Sequence, residues 1–427
     1  MGEKWYKIDN AGKIFPTVWS IAERNSFRLS AVLKDEIDES LLSIALDKAL
    51  QRFPTFGVRL RRGFFWYYLE KNPLKPIIRK DTNIFSTIDL NGNNGYLFSL
   101  TYYGRRLAID IFHAISDGTG GLEFFKCILY YYLELIGGVF KNNGEILTNE
   151  LEQYYDEKDD SFLKNYDKLV KQTPKEPKGH KITGGTFYGK GRFGLFHVLM
   201  NVDELKAVSK KYNATITEYL SACLLQSVYK NEYNEKTKKE IFNLFVAVNV
   251  RKYFNSKTLR NFALFIRSYT KFKDDMTFEE ILADVKDFFK NELTKEKMHA
   301  RLAQNVKLEK NIFVRLIPLF IKKYAMRIGY KLMASKIDTI NFSNLGIARC
   351  PEGFENYVER FEFIIGASKS LPMNATSISY NNTFVLTLSV ATLERELARC
   401  VINQLVKDGI DITIETNDLE VQDEKMW

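Results

Sequence analysis

The chain has 427 residues, 45% of them apolar and 27% charged, with a formal charge of +9. That length is about three times a typical ~150-residue domain, and the composition excludes disordered, collagenous and low-complexity chains. No uncharged apolar run reaches the ~18 residues of a membrane span; the closest stretch, Phe124 to Phe140, carries Lys126 and Glu134.

Taken in chain order, Phe27 to Leu33 reads as a strand. Asp38 is placed to cap a helix whose apolar residues Leu41, Ala45, Ala49 and Leu42, Leu46, Leu50 recur every four positions. The aromatic run from Val58 to Leu69 reads as a hairpin turning near Arg62-Gly63. Strands follow around Tyr96 to Tyr103 and Arg106 to Phe112, then an aromatic helix from Leu122 to Leu135. Between Asn142 and Lys190 the pattern dissolves into charge, then Pro174, Pro177 and a run of glycines, which marks a linker or crossover. Phe193 to Val202 restarts a strand and Asp203 to Tyr212 a helix. Thr215-Ile216-Thr217-Glu218 is a capping box that opens a second helix through Tyr229. Phe242 to Val250 has the β-branched and aromatic content of a buried strand. Asn261 to Lys271 and Phe384 to Thr392 are further strand candidates, with a long helical region, Thr277 to Met333, between them. Asp408 to Glu424 reads as an acidic, weakly ordered tail. This order is that of an α/β protein. The two halves share a strand-helix-strand rhythm, which predicts two similarly built lobes, 1–170 and 193–427, with a linker over 171–192.

The opening Met1-Gly2-Glu3-Lys4-Trp5-Tyr6 has no signal-peptide apolar core, and Tyr6 spoils a myristoylation pattern, so a soluble cytoplasmic protein is expected. Cys127, Cys223, Cys350 and Cys400 are far apart with no CxxC pair, and read as small buried hydrophobes rather than a disulfide frame or a zinc site. An isoelectric point near 9 suits an anionic partner: nucleic acid, a membrane surface or a phosphate-bearing cofactor. Each of the four histidines needs a reading, because histidine serves as a base at neutral pH. His180 lies in the linker and His299 in a basic helix, both reading as solvated; His197, inside a strand, reads as packed. His113 differs. It ends the strand Leu107 to Phe112 and opens His113-Ala114-Ile115-Ser116-Asp117-Gly118-Thr119-Gly120-Gly121, a glycine-rich turn that projects the imidazole into whatever cleft the sheet edge borders.

This run resembles the HxxxDG signature of the acyltransferase superfamily that includes chloramphenicol acetyltransferases, plant-type alcohol acyltransferases and peptide-synthetase condensation domains, with the alcohol acetyltransferases as the most similar branch. Val248-Asn249-Val250-Arg251, Leu259-Arg260-Asn261-Phe262 and Asn341-Phe342-Ser343-Asn344-Leu345-Gly346 fit at the expected order and spacing, so the resemblance spans about Trp19 to Leu393. It implies two chloramphenicol-acetyltransferase-like α/β lobes, each a mixed sheet with flanking helices, facing each other across a tunnel. It implies transfer of an acyl group, acetyl in this reading, from a coenzyme A thioester to an alcohol, with acyl-CoA as co-substrate, no resident cofactor and no metal. In this resemblance His113 is the general base, with no covalent acyl-enzyme. Asp117 turns away from the histidine and pairs with an arginine of the second lobe, Arg251 in preference to Arg260. Gly118 leaves space where the tunnel meets the histidine. Asn341, Ser343 and Asn344, read as a turn after the long helical region, would supply donors to the oxyanion. Phe112 stands where condensation domains carry a first histidine, and the DFGWG segment of the plant-type enzymes is absent, which leaves the acceptor open. The alternatives are a carrier-protein thioester as donor, and a relative that binds a hydrophobic ligand without turnover.

Two further segments attract attention. Gly184 to Lys190 resembles a phosphate loop, but Gly191 replaces the required Ser/Thr and a strand follows. Arg315 to Lys336 is a basic amphipathic helix, suited to a membrane surface or, the preferred reading, to packing within the second lobe with its cations solvated. Nucleic acid has only the net charge in its favour. The expected partners are acyl-CoA and a small-molecule alcohol, bound by a monomer.

Overall fold

A computed structural model of the chain describes residues 5–18, 25–82, 85, 88–89, 92–170, 176–189, 191–332 and 338–417. The first four residues, Trp19, Pro174, Lys190, Met333 and the stretch beyond 417 lie outside the described residues.

A short strand, β1 (Trp5–Lys7), and a helical turn, α1 (Ile14–Val18), lead to β2 (Ser26–Leu33), which is buried along its whole length. In α2 (Glu39–Arg52) the Asp38 carboxylate accepts the Ser40 N–H, and Leu42, Ala45, Leu46 and Ala49 form the buried stripe. β3 (Val58–Arg62) and β4 (Tyr67–Lys71) are the expected hairpin, closed by the Gly63 N–H on the Trp66 carbonyl. After β5 (Arg79–Lys80), β6 (Phe98–Tyr103) and β7 (Arg106–Phe112) pair antiparallel. α3 (Gly118–Leu135) starts one turn earlier than its aromatic residues suggest, because Asp117 caps it through the Gly120 N–H.

Within the linker region α4 (Ser161–Lys164) adds a turn capped by Asp160. β8 (Gly194–Asn201), α5 (Val202–Lys211), α6 (Ile216–Glu232), β9 (Leu244–Asn249) and β10 (Ala263–Arg267) follow, with Thr215 and Glu218 forming the reciprocal capping box of α6. The long helical region is four helices: α7 (Phe278–Glu292), α8 (Lys295–Lys310), α9 (Ile312–Leu316) and α10 (Leu319–Leu332). Asn311 caps α9 through the Phe313 and Val314 N–H groups, and Pro318, which has no N–H to donate, separates α9 from α10. The chain ends with β11 (Ile340–Ile347), β12 (Val358–Ile364), β13 (Met373–Tyr380), β14 (Thr383–Val390), α11 (Glu396–Lys407) and β15 (Ile412–Thr416).

The strands form a five-stranded sheet in the order β12-β2-β7-β6-β5, a seven-stranded sheet in the order β10-β9-β11-β13-β14-β8-β15, and a small sheet β1-β4-β3. Helices α2 and α3 cover the first sheet and α6, α7 and α11 the second, giving two lobes with separate apolar cores. β12 crosses over: it comes from the second half of the sequence but pairs antiparallel with β2 of the first sheet. Its charged face is buried in ion pairs, Glu362 with Arg106 and Arg360, and Arg360 with Glu415.

Four expectations need correction. Asn341 to Asn344 lie in a central strand rather than a turn, held in parallel register by β9 on one side and β13 on the other. The start of the acidic tail is ordered, with β15 pairing along β8. His180 is buried, its ring nitrogens bonded to Glu240 at 2.6 Å and Glu232 at 2.9 Å. The basic helix α10 leans on the first lobe: the Leu319 N–H donates to the Phe64 carbonyl, and the Lys322 ammonium is buried over the Trp66 ring at 3.6 Å.

Candidate active site

His113 follows directly on β7, where its N–H donates to the Asn25 carbonyl. Its ring stacks on Phe15 with centroids 4.5 Å apart and meets the edge of Phe27 at 5.4 Å. These aromatic contacts hold the plane of the imidazole; a hydrogen-bond chain sets its protonation pattern. His113 Nδ1 lies 2.8 Å from Asn261 Oδ1, and Asn261 Nδ2 donates to Asp9 Oδ2 at 3.0 Å. A carboxylate can only accept, so the Asn261 nitrogen must face Asp9 and its oxygen must face the histidine. Nδ1 therefore carries the proton, and Nε2 of the neutral ring keeps its lone pair. Asp9 is fully buried, accepts the Gly12 N–H at 2.6 Å and lies 3.5 Å from the Arg260 guanidinium.

Asp117 does a different job. Among the described residues its hydrogen bonds go to the Gly120 and Phe262 N–H groups and, at 2.9 Å through both oxygens, to Arg251, and none go to His113. Burial by itself would raise its carboxyl, but the charge and hydrogen bonds of Arg251 and the two N–H donors outweigh this and hold it below the ordinary range. Arg251 completes its fork on the carbonyls of Thr258 and Arg260. Arg260, the other candidate partner of Asp117, instead turns to Asp9 and to the Lys7 carbonyl. The pair ties the start of α3 to the second lobe, and two glycines let the elements approach. A Cβ on Gly118 would stand 2.7 Å from Leu345 Cδ2, and one on Gly120 only 2.0 Å from the Leu259 carbonyl oxygen.

His113, Asp117 and Gly118 line a cavity of about 860 Å³ together with Asn341, Ser343 and Asn344. Its walls are largely apolar, with Phe15, Phe27, Phe245, Phe265 and Phe363 among them, and its size is that of a site for a small organic ligand. The two-residue period of β11 sorts the three polar candidates. Asn341 and Ser343 share one side of the strand, whereas Asn344 donates to Thr217 and accepts the Gly346 N–H. Among the described residues, the amide oxygens of Asn341 and its strand neighbour Asn374 are buried without a hydrogen-bond partner, and both residues line the cavity. Asn261 and Asp9 were not singled out from sequence. Asn261 sits in the Leu-Arg-Asn-Phe segment, and Asp9 carries no local signal, since the two are 252 positions apart. No group of three or more His, Cys, Asp or Glu among the described residues is arranged to hold a metal.

No family model matches the chain, and no curated protein matches it in sequence. Solved structures do match in fold. Polyketide synthase associated protein 5 from Mycobacterium tuberculosis superposes with a TM-score of 0.62 at 11% identity, over 94% of this chain and 97% of that one. TRI101 of F. sporotrichioides, solved with coenzyme A and T-2, gives 0.60 at 13% identity over 96% and 100%. The starter condensation domain of rhizomide synthetase RzmA, in complex with C8-CoA and Leu-SNAC, gives 0.60 at 11% identity over 96% and 98%. Over nearly its whole length, then, this chain has the two-lobed α/β fold of these three proteins.

Proposed function

We propose that this protein transfers an acyl group, acetyl in the simplest case, from a coenzyme A thioester to the hydroxyl of a hydrophobic alcohol. The observation that carries the reading is His113, whose Nδ1 is committed to Asn261 beside an apolar cavity, leaving Nε2 as the base. The alcohol O–H donates to Nε2, and as the proton passes to the ring the oxygen attacks the thioester carbonyl carbon. The carbonyl electrons move onto oxygen, where the Ser343 hydroxyl and the Asn341 amide N–H of the cavity wall are the donors proposed to stabilise the charge. Collapse breaks the C–S bond and returns the Nε2 proton to the leaving sulfur, regenerating the neutral ring and free coenzyme A thiol. Asn261 and Asp9 steady the transient imidazolium, while Asp117 and Arg251 shape the loop that carries it. Crystallisation of similarly folded proteins with coenzyme A or an acyl-CoA supports the donor class.

The test is mass spectrometry of products after mixing the protein with acetyl-CoA and a panel of hydrophobic alcohols. Ester formation is expected, lowered by about two to four orders of magnitude in His113→Ala, the scale of a general base. Near-normal turnover in that variant, or an acyl group retained covalently on the protein after mixing with donor alone, would overturn the mechanism.

A further inference from the structure

A surface helix ordinarily turns its apolar stripe to the core and its cations to water. α10 departs from this. It buries Leu319 and Lys322 against the β3–β4 hairpin and exposes Phe320, Ile321, Tyr324 and Ile328, with Tyr324 at 71%. α9 continues the surface with Ile312, Phe313 and Leu316, and Phe313 is 76% exposed. Phe64, also 71% exposed, joins it from the hairpin tip, where its carbonyl accepts the Leu319 N–H at 2.8 Å. Single exposed hydrophobes are ordinary, but this many large ones on connected elements form an interaction surface.

Charge identifies the occupant. From Lys310 to Ile337 the sequence carries no Asp or Glu, and while Lys322 is buried over Trp66, Arg315 is exposed and Lys323 half-buried beside the apolar residues. Two copies of this face would bring like charges together. A bilayer with anionic headgroups pairs with the cations while its interfacial acyl region takes the aromatic and aliphatic side chains. Among the described residues no helix is long and apolar enough to cross a membrane, so the contact is one of lying on the surface. Val314 of α9 and Met326 of α10 line the cavity, which sets its apolar wall behind the exposed face.

We propose that α9, α10 and the hairpin tip dock this protein on the surface of an anionic bilayer. The inference is independent of the acyl-transfer reading. It is tested by co-sedimentation with vesicles of phosphatidylcholine alone and of equal parts phosphatidylcholine and phosphatidylglycerol. Binding to the mixed vesicles is expected, weakening as salt rises, and falling at least about tenfold in the Phe313→Ser/Phe320→Ser/Tyr324→Ser variant. Arg315→Glu/Lys323→Glu, which leaves the apolar residues in place, is expected to lose the preference for phosphatidylglycerol. Circular dichroism should show both variants folded, since the altered residues make few internal contacts. Failure to bind mixed vesicles, equal binding by both variants, or a dimer abolished by the triple substitution would overturn the proposal.

Discussion

At the scale of residues, the candidate base depends on an amide and a carboxylate 252 positions apart in the chain. If Asn261 sets the tautomer of His113, its loss frees the imidazole to rotate and to exchange protons between its nitrogens. Asn261→Ala is expected to lower kcat roughly 10- to 100-fold, the scale for groups that orient a working imidazole, with KM little changed. Steady-state kinetics across pH check this: a purely structural role would lower the amount of active enzyme without altering the shape of the profile. The Asp117–Arg251 pair makes a thermodynamic prediction. Asp117 is 3% exposed and its partner is mostly covered, so removing either side leaves a buried charge uncompensated. Asp117→Asn and Arg251→Ala should each cost about 3–5 kcal/mol in urea denaturation, and the double variant little more than either. Additive losses would show that the pair carries no coupling.

At the scale of elements, the pattern of period and cap finds most helices and the most apolar strands, and it fails in informative places. β11 reads as a turn because Asn, Ser and Gly dominate it, yet it pairs on both sides, and its polar side chains face a cavity rather than water. β12, with its charged Glu359, Arg360 and Glu362, lacks the apolar signal of a buried strand, since partners elsewhere in the sequence neutralise that face. His180 anchors the linker by the same device. Burial would depress its imidazole, but the hydrogen bonds and charges of Glu232 and Glu240 outweigh burial and raise it. A raised folded-state value means that the stabilisation is full below the ordinary value of 6.5 and is lost as pH rises through the raised one. His180→Ala should therefore lower the melting temperature more at pH about 5.5 than at about 9, as thermal denaturation at the two values would show.

At the scale of the whole molecule, the lobes are interdependent. β12 completes the first sheet from the second half of the chain, and Asp117–Arg251 and Asn261–Asp9 add ties of distant sequence. A fragment ending at 170 would leave β2 as an unpaired, buried-type edge, and is expected to aggregate rather than fold. Size-exclusion chromatography and circular dichroism of that fragment check this, and a soluble folded monomer would show that the first lobe is autonomous. The sequence by itself determined most of the helices, the caps at Asp38 and Thr215, the hairpin at Gly63 and the setting of His113 at a strand end, because each is written within a window of a few residues. Only the tertiary structure decided that Arg251 meets Asp117, that Asn261 and Asp9 hold the histidine, that a charged strand crosses between lobes and that α10 turns its apolar face outward. Those outcomes depend on pairings over more than 130 positions, where a residue's role is set by the partner that arrives and not by its neighbours in the chain.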